Sequence, residues 1–398
     1  MTSAESGPSP RRTLLLTGAQ AAVEAMRQVD PDLVPVFPIT PQVPIVEAYA
    51  RLVADGRVAG EMVRVESGHA AMSAAIGASL AGARAMTMTA SQGLAAMIGV
   101  VYLAASLRAP VVVAVGNRAV AGPINIHADH SDAMLARDSG AIQLFAESPQ
   151  EVYDLMLMAP RLAEHPDVLL PCLVNQDAFT VTHSAEPVEV LADAEARAFV
   201  GPYRAVMPLL DVSRPLSHGP FAMPDSHFEL RLEAAEAMAR GRRAWSGIVD
   251  EYRALTGRDL QGVEAYRLDG AERVLVAMGS VAGTVKEAVD DLRAEGEMVG
   301  LLRIRSFRPF PHAALLAHLA QVPRVGVIDR SLAAGALPPL FVEVAATLAG
   351  HASVKSLVGG LGGRDIGQAE ITAAYRGLRA APEGLGSIYL GLDRGGLR

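Results

Sequence analysis

The sequence predicts an α/β protein with two mostly parallel sheets, each covered by helices on both faces. Short apolar runs bounded by turn residues recur along the chain, and most precede a segment of helical character. This alternation is typical of doubly wound parallel sheets. The chain has 398 residues, more than one hydrophobic core usually supports, so we expect more than one domain.

The first α/β block is predicted to span residues 12–183, after a disordered N-terminus at residues 1–11. Its expected strands are, in order, TLLLT, LVPVFPIT, MVRVES, RAMTMTAS, APVVVAVGN and LLPCLVN. Residues 85–107 carry no charge and are long enough to mimic a membrane span, but polar residues interrupt them. We interpret them as a buried strand, a turn and a buried helix.

Prolines loosen the pattern between residues 184 and 269, which we interpret as a connecting arm with one helix near residues 229–253. A second α/β block is predicted over residues 270–398. Its expected strands lie in RVLVAMGS, VGLLRIRSF, RVGVIDRS and VKSLVGGLGG, with amphipathic helices between them.

Composition excludes several kinds of partner and cofactor. The formal charge of −8, from 35 basic and 43 acidic residues, gives no basic field for nucleic acid or anionic lipid. A single cysteine, Cys172, allows no internal disulfide and cannot hold an iron–sulfur cluster, which takes about four Cys ligands.

The start, PSPRRTLLLTGAQAA, resembles a twin-arginine signal, but Glu24 and Arg27 follow too soon for a long apolar region. We therefore expect a cytoplasmic protein.

The strand-to-helix junction at Glu66 is the most informative feature of the sequence. This lone carboxylate follows an apolar run and opens a helix of mostly small side chains. Burying an unpaired carboxylate is so costly that it takes up a proton or finds a donor, which makes Glu66 a candidate proton relay. The alternative is a helix N-terminus at which Glu66 or Ser67 binds free backbone N–H groups.

Other polar residues follow neighbouring predicted strands, where sites in parallel sheets collect. Thr40 lies between two prolines, Ser91 and Gln92 follow RAMTMT, and Arg118 follows PVVVAVGN. The Thr40 hydroxyl can donate to a ligand oxygen, and Arg118 can form a paired contact with a substrate carboxylate. The alternatives are an ordinary proline turn and a surface arginine.

Two further segments contain residue types found in metal sites or phosphate sites, but neither segment matches such a site well. Asp129, His130 and Asp132 are close enough in sequence to share a metal, but no second cluster accompanies them, so we expect a hydrogen-bonded loop and no metal. GGLGGRD, at residues 359–365, fits a tight backbone passage better than a phosphate cradle.

Motifs spread over most of the chain resemble those of one enzyme family. They are FPITPQ at 37–42, VESGHAAMSAAIGASLAGARAMTMTASQGLAAM at 65–97, VGNRAVAGPINIHADHSDAMLARDSG at 115–140, NQDAFTVTH at 175–183, RSFRPFP, VIDRS and GGLGGRD. Together, in this order, they resemble the α subunit of pyruvate:ferredoxin oxidoreductases, within the 2-oxoacid:ferredoxin oxidoreductase family.

The resemblance implies a fold and a site. The first block would be a thiamine diphosphate-binding pyrimidine domain, a doubly wound parallel sheet, and the second a transketolase C-terminal-like α/β domain. Glu66 matches the carboxylate that activates the aminopyrimidine, Thr40 a hydroxyl that contacts substrate, and Arg118 the group that holds the substrate carboxylate. Ser91 and Gln92 are expected to contact the cofactor.

The implied activity is oxidative decarboxylation of pyruvate with coenzyme A to acetyl-CoA and CO₂, with ferredoxin as electron acceptor. Thiamine diphosphate would be shared with a β subunit, which holds the diphosphate through Mg²⁺ and carries a [4Fe-4S] cluster. A ferredoxin-like δ subunit would carry further clusters, and a γ subunit would complete the complex.

The chain also departs from the family pattern, which keeps alternatives open. Gly99 lies where a Glu is common, Ala141 where an aromatic is common, and Ala178 replaces the glycine of DGF. We expect these changes to alter a subunit contact or enlarge the substrate region. Branched-chain 2-oxoacids, 2-oxoglutarate and oxalate remain alternative substrates, and a non-redox thiamine decarboxylase subunit and a non-catalytic assembly subunit remain alternative functions.

Overall fold

The structure is a computed structural model that describes residues 11–120, 122–379 and 386–393. The predicted disordered N-terminus lies outside this part of the chain except for Arg11, whose guanidinium pairs with Glu195 at 2.8 Å. Within the described residues, no helix has both the length and the apolar character needed to cross a bilayer.

Strands and helices alternate through both blocks, as the sequence predicted. The first elements are β1 (Arg12–Thr17), α1 (Gly18–Val29), β2 (Leu33–Val36), α2 (Val43–Ala54), β3 (Glu61–Arg64), α3 (Gly68–Ala81), β4 (Met86–Thr89), α4 (Ser91–Ser106), β5 (Val112–Asn117), α5 (Ser131–Leu135), β6 (Ile142–Phe145), α6 (Pro149–Ala163), β7 (Cys172–Asp177) and β8 (Ala185–Val190). The strand, turn and helix predicted for residues 85–107 are β4 and α4.

The remaining elements belong to the arm and the second block. They are α7 (Asp193–Val200), α8 (His227–Thr256), β9 (Val263–Tyr266), β10 (Arg273–Ala277), α9 (Val281–Ala294), β11 (Val299–Ile304), β12 (Ser306–Arg308), α10 (His312–Leu319), β13 (Arg324–Asp329), α11 (Pro339–Thr347), β14 (Ser353–Val358), a 3₁₀ turn (Leu361–Gly363), α12 (Gln368–Gly377) and β15 (Ile388–Tyr389).

The first sheet has the strand order β12-β6-β7-β5-β4, and all its strands are parallel except β12. The parallel pair β2-β3 extends this sheet through a bridge between Leu33 and Ala85. The second sheet has the order β15-β14-β13-β10-β11-β9, in which only β9 is antiparallel to its neighbour. The predicted α/β fold class with parallel sheets is confirmed.

The arm contributes to a separate two-stranded sheet, to the second sheet and to the first core. β8 pairs with β1, and β9 lies at the edge of the second sheet. The predicted helix near residues 229–253 is α8, which buries Trp245 and Tyr252 in the hydrophobic core beneath the first sheet. The apolar side chains of one helix face therefore outweigh the local effect of the surrounding prolines.

The sequence did not predict β6, β8, β9 or β15, and it predicted β11 and β12 as one strand, VGLLRIRSF. β6 has only four residues, and the polar Gln143 interrupts its apolar run. Gln143 is nevertheless buried, because its Nε2 donates to the carbonyl of Ala133 at 2.9 Å. A tertiary hydrogen bond of this kind leaves no periodic signal in the sequence.

Charged side chains join the two blocks. Arg303 and Arg305 are buried against the carboxylates of Glu147, Glu151 and Glu264. These three carboxylates are the only group in the described ranges that is close enough to share a metal ion, but Arg303, Arg305 and Lys286 pair with them and neutralise their charge. Burial alone raises the pKa of Glu151, and Arg305 and Arg303 reverse this and hold the pKa well below its usual range.

A second ionic contact lies at the carboxyl end of β7. Oδ2 of the buried Asp177 accepts hydrogen bonds from Ser280 N at 2.8 Å and Arg330 Nη1 at 2.6 Å, while Oδ1 lies 2.8 Å from His130 Nε2. Burial opposes ionisation of Asp177, but Arg330 and His130 outweigh it and hold its pKa well below the usual range. The first sheet is thereby held against the loops that follow β10 and β13.

Candidate active site

The polar residues predicted to form a site follow four neighbouring strands of the first sheet. Because β3, β2, β4 and β5 are parallel and adjacent in that order, their carboxyl ends lie along one edge. Glu66 follows β3, Thr40 follows β2, Ser91 follows β4, and Arg118 follows β5. The structure therefore brings these sequence-predicted residues to one side of the sheet.

The carboxylate of Glu66 is exposed, which corrects the expectation of a buried group. The reason is that β3 is an edge strand, which among the described strands pairs only with β2, so that even Val63 is 40% exposed. Ser67 is the N-cap of α3, and its hydroxyl accepts from the N–H of Ala70 at 3.1 Å. Glu66 itself makes no side-chain hydrogen bond or ion pair with any described residue. The capping role belongs to Ser67, and the Glu66 carboxylate is available to a ligand.

Gly68 brings the first turns of α3 and α4 into contact, and Gly93 brings α4 close to the end of β4. A Cβ added at Gly68 would lie 2.5 Å from the carbonyl oxygen of Gly93, and one at Gly93 would lie 2.6 Å from Thr89 Oγ1. Both distances are too short for a real Cβ atom. Because Gly68 lies two residues after Glu66, this close approach places Glu66 beside the residues that open α4.

Ser91 opens α4 with a positive φ of 47°, a backbone conformation that is rare for residues other than glycine. Its buried hydroxyl donates to the carbonyl of Ala119 at 2.6 Å, and its N–H donates to Asp132 Oδ2 at 2.9 Å. Gln92, the next residue, is exposed. Its Oε1 lies 2.5 Å from Ser91 Oγ, whereas its Nε2 makes no hydrogen bond with any described residue. Since Ser91 is already held by protein partners, the Nε2 of Gln92 is the better placed of the two to contact a ligand.

Arg118 is 4% exposed and is held by two backbone carbonyls. Its Nη1 donates to Thr40 O at 2.8 Å and its Nε to Asn125 O at 3.1 Å, whereas Nη2 has no hydrogen-bond partner among the described residues. Burial lowers the pKa of Arg118, and Asp132 partly opposes this change. The Thr40 hydroxyl likewise makes no hydrogen bond with the described part of the chain. One guanidinium nitrogen and one hydroxyl thus remain without a hydrogen-bond partner in the described residues.

Asp132 is a buried residue that the sequence did not single out for this site. It is 0% exposed and lies in α5 beneath the edge that carries Ser91 and Arg118. The sequence grouped it with Asp129 and His130, but the structure gives these three different partners, Ser131 for Asp129 and Asp177 for His130. Only the fold could reveal the contacts of Asp132, because Ser91 is distant in sequence.

The second block contacts the loop that follows β5 at the same edge. Asn125 Nδ2 donates to the carbonyl of Gly362 at 3.0 Å, and the N–H of Gly363 donates to Ala128 O at 2.7 Å. Gly362 has a φ of +59°, and a side chain there would meet Asn125 Nδ2 at 2.5 Å. GGLGGRD is therefore a tight backbone passage, as predicted, and it contacts the loop whose Asn125 carbonyl holds Arg118.

Comparison with known protein families gives two matches that together cover most of the chain. The thiamine diphosphate-binding region of pyruvate flavodoxin/ferredoxin oxidoreductase matches residues 24–246, and core domain II of pyruvate:ferredoxin oxidoreductase matches residues 271–371. The chain belongs to the pyruvate flavodoxin/ferredoxin oxidoreductase family. The resemblance predicted from the motifs is confirmed, and family membership makes the chain part of an oxidoreductase.

Relatives in this family are similar over nearly their whole length. Pyruvate synthase subunit PorA of Thermotoga maritima is 50% identical over 363 residues, which are 90% of this chain and 93% of the relative. PorA of Methanocaldococcus jannaschii is 43% identical over 88% of this chain and 91% of its own. Ketoisovalerate oxidoreductase subunit VorA of Pyrococcus abyssi is 36% identical over 93% and 94%.

Solved structures support the fold. A 2-oxoglutarate:ferredoxin oxidoreductase from Magnetococcus marinus matches with a TM-score of 0.70 at 19% identity, over 92% of this chain and 65% of that chain. A split-gene transketolase matches with a TM-score of 0.54 at 12% identity, over 92% of this chain and 98% of that chain. The fold of this chain is therefore similar to that of the transketolase.

Proposed function

We propose that this chain is the α subunit of a pyruvate:ferredoxin oxidoreductase, which converts pyruvate and coenzyme A to acetyl-CoA and CO₂ and passes electrons to ferredoxin. The observation that carries the proposal is that the Glu66 carboxylate is exposed and has no side-chain partner in the described residues. It is not needed as a helix cap, because Ser67 caps α3. The family description, which includes thiamine diphosphate, and the names of the PorA relatives support it.

Glu66 fits one requirement of thiamine diphosphate. When bound, this cofactor supplies the nucleophilic carbon that activates a 2-oxoacid for loss of CO₂. Glu66 would hold a proton at the far ring nitrogen of the aminopyrimidine, a task that needs a carboxylate with no competing cation. In this chain Glu66 pairs with no cation of the described residues, and the guanidinium of Arg118 donates to Thr40 and Asn125.

Arg118 and Thr40 would hold the substrate. The free Nη2 of Arg118 binds the carboxylate of the 2-oxoacid, and the Thr40 hydroxyl donates to a substrate oxygen. Ser91 and Gln92, in the first turn of α4, would contact the cofactor beside Glu66. Because two carbonyls already fix the guanidinium, little side-chain entropy is lost when the substrate binds.

The remaining cofactors are assigned to partner subunits. A β subunit would hold the diphosphate through Mg²⁺ and carry a [4Fe-4S] cluster, while γ and ferredoxin-like δ subunits complete a cytoplasmic complex. The single buried Cys172 agrees with clusters on other chains.

Large apolar side chains are exposed along the arm, among them Val212 and Phe221 at more than 90%, which suits a chain that works within a complex.

We further propose how this chain divides into domains and what its departures from the family pattern change. Residues 12–183 would form the pyrimidine-binding domain and residues 270–398 the transketolase C-terminal-like domain, joined by the arm at 184–269. Of the three departures from the family pattern, Gly99 is exposed while Ala141 and Ala178 are buried. Gly99 is therefore placed to alter a subunit contact, whereas the other two alter packing inside this chain.

Reduction of a viologen dye by the complex co-purified on this chain tests the proposed function. With coenzyme A present, pyruvate should reduce the dye faster than 2-oxoisovalerate, 2-oxoglutarate or oxalate. Preference for 2-oxoisovalerate would instead support the activity named for the VorA relative. Absence of reduction with all four acids, despite bound thiamine diphosphate and iron–sulfur clusters in the partners, would refute the proposal.

A further inference from the structure

Asp132 joins the two loops that face the proposed substrate. Its Oδ2 accepts from the backbone N–H of Ser91 at 2.9 Å and of Arg118 at 3.0 Å. Its Oδ1 accepts from Asn117 Nδ2 at 3.0 Å and from the N–H of Ala133 at 2.7 Å. One fully buried carboxylate therefore connects the carboxyl ends of β4 and β5 and the start of α5.

This arrangement needs a carboxylate. Four N–H donors converge on its two oxygens, and among the described residues no cationic side chain forms a hydrogen bond with either oxygen. An amide of the same size offers a single acceptor oxygen, so at least one pair of donors would face an NH₂ group. A buried charge that is held only by dipoles is costly, and such a group persists where its geometry is needed.

The contacts of Arg118 show what that geometry controls. Its backbone N–H is fixed by Asp132, and its side chain is fixed by the carbonyls of Thr40 and Asn125. Only Nη2 is left without a partner in the described residues. A shift of the backbone at Arg118 would turn this nitrogen away from the ligand, and displacements of about 1 Å are enough to weaken a binding site strongly.

We propose that Asp132 is a positioning residue, which directs the Arg118 guanidinium at the substrate carboxylate. It does so because one of its oxygens accepts hydrogen bonds from the backbone N–H groups of both Arg118 and Ser91. This inference rests on the proposed function, because it assigns Arg118 to the substrate. Asp132 does not touch the substrate itself. Its effect is therefore on substrate binding, transmitted through Arg118, and little of it falls on the chemical step.

A double-mutant cycle in the assembled complex tests this. D132N should raise the KM for pyruvate about 10-fold or more while kcat changes less than about threefold, and R118K should also raise KM. If Asp132 acts through Arg118, adding D132N to the R118K variant should raise KM little further. D129N is the matched control, because Asp129 lies in the same segment but, within the described part of the chain, accepts only from Ser131. Its KM should match that of the wild type.

Three outcomes would overturn the proposal. They are an unchanged KM in D132N, an equal increase of KM in the wild-type and R118K backgrounds, and a fall of kcat with no change of KM. If the D132N complex does not assemble, D132S carries the same test, since a hydroxyl and a water molecule can occupy the space of the carboxylate. Failure of both variants to assemble would assign Asp132 to folding instead.

The activity of the wild-type complex separates this inference from the proposed function. An active wild-type complex combined with an unchanged KM in D132N refutes the role of Asp132 alone. A wild-type complex that turns over none of the four 2-oxoacids refutes the proposed function, and the role of Asp132 falls with it.

Discussion

Gly68 and Gly93 touch through their backbones. A Cβ at Gly68 would approach the carbonyl oxygen of Gly93 to 2.5 Å, so no larger residue fits there without movement of a helix. This contact joins the N-terminal turns of α3 and α4, and Glu66 lies immediately before one of these turns and Gln92 within the other. The spacing of the two residues is thus set by the absence of a side chain at residue 68.

Gly68→Ala should destabilise the purified chain by about 1–3 kcal/mol, because the added methyl group meets backbone that cannot turn aside. Gly77→Ala, in the same helix, is the matched control. A Cβ at Gly77 would meet no atom within 4 Å, so the better helix propensity of alanine should stabilise the chain by roughly 0.5–1 kcal/mol. Denaturant unfolding measures both, and equal shifts in the two variants would contradict the predicted contact.

Glu66→Gln should reduce turnover of 2-oxoacid by the complex about 10²-fold or more, because the amide cannot hold the proton that the cofactor ring needs. Assembly should be unaffected, since Glu66 has no side-chain partner in the described part of this chain. Glu61→Gln is the control, as Glu61 is an exposed residue of the same edge strand. Wild-type turnover by the Glu66→Gln complex would rule out the proposed role.

Arg330→Met should destabilise the chain by about 3–5 kcal/mol, because it leaves the buried Asp177 carboxylate without its guanidinium. Adding Asp177→Asn should recover part of this loss by removing the unpaired charge. Arg364→Met, at an exposed arginine of the same block, should change the free energy of unfolding by less than about 0.5 kcal/mol. A double variant less stable than Arg330→Met would show that the ion pair is not the source.

The stability of the chain should depend on pH through Asp132. Burial raises the pKa of Asp132 to about 6, against the hydrogen bonds of Asn117 and Arg118, which lower it. Because the folded chain binds this proton more tightly than the unfolded chain, the stabilising contribution is complete below about pH 4 and is lost as pH rises through about 6.

The full loss corresponds to roughly 3 kcal/mol. Asp132→Asn cannot titrate at this position, so its free energy of unfolding should fall less than that of the wild type between about pH 4 and pH 8. Urea denaturation across this range makes the comparison. Parallel curves for the two proteins would mean that the pKa of Asp132 is not raised.

Much of the fold could be predicted because an apolar run bounded by turn residues is a local signal for a strand. β2, β4, β5 and β7 carry such runs, and each ends in turn residues. β6 could not be predicted, and β12 could not be separated from β11, because β6 and β12 are short and are completed by partners from distant parts of the chain. β3 was predicted as a strand, but its exposure depends on its place at the edge of the sheet.

For the candidate site, the sequence by itself determined which side chains follow the strands, and hence that Glu66, Thr40, Ser91 and Arg118 share one edge. It also determined the family, because the motifs occur in a fixed order. Only the tertiary structure decided that Ser67 caps α3, that Glu66 is exposed, and that Asp132 holds Ser91 and Arg118. Strand and turn signals arise from neighbouring residues, whereas burial and hydrogen-bond partners depend on segments that meet only after folding.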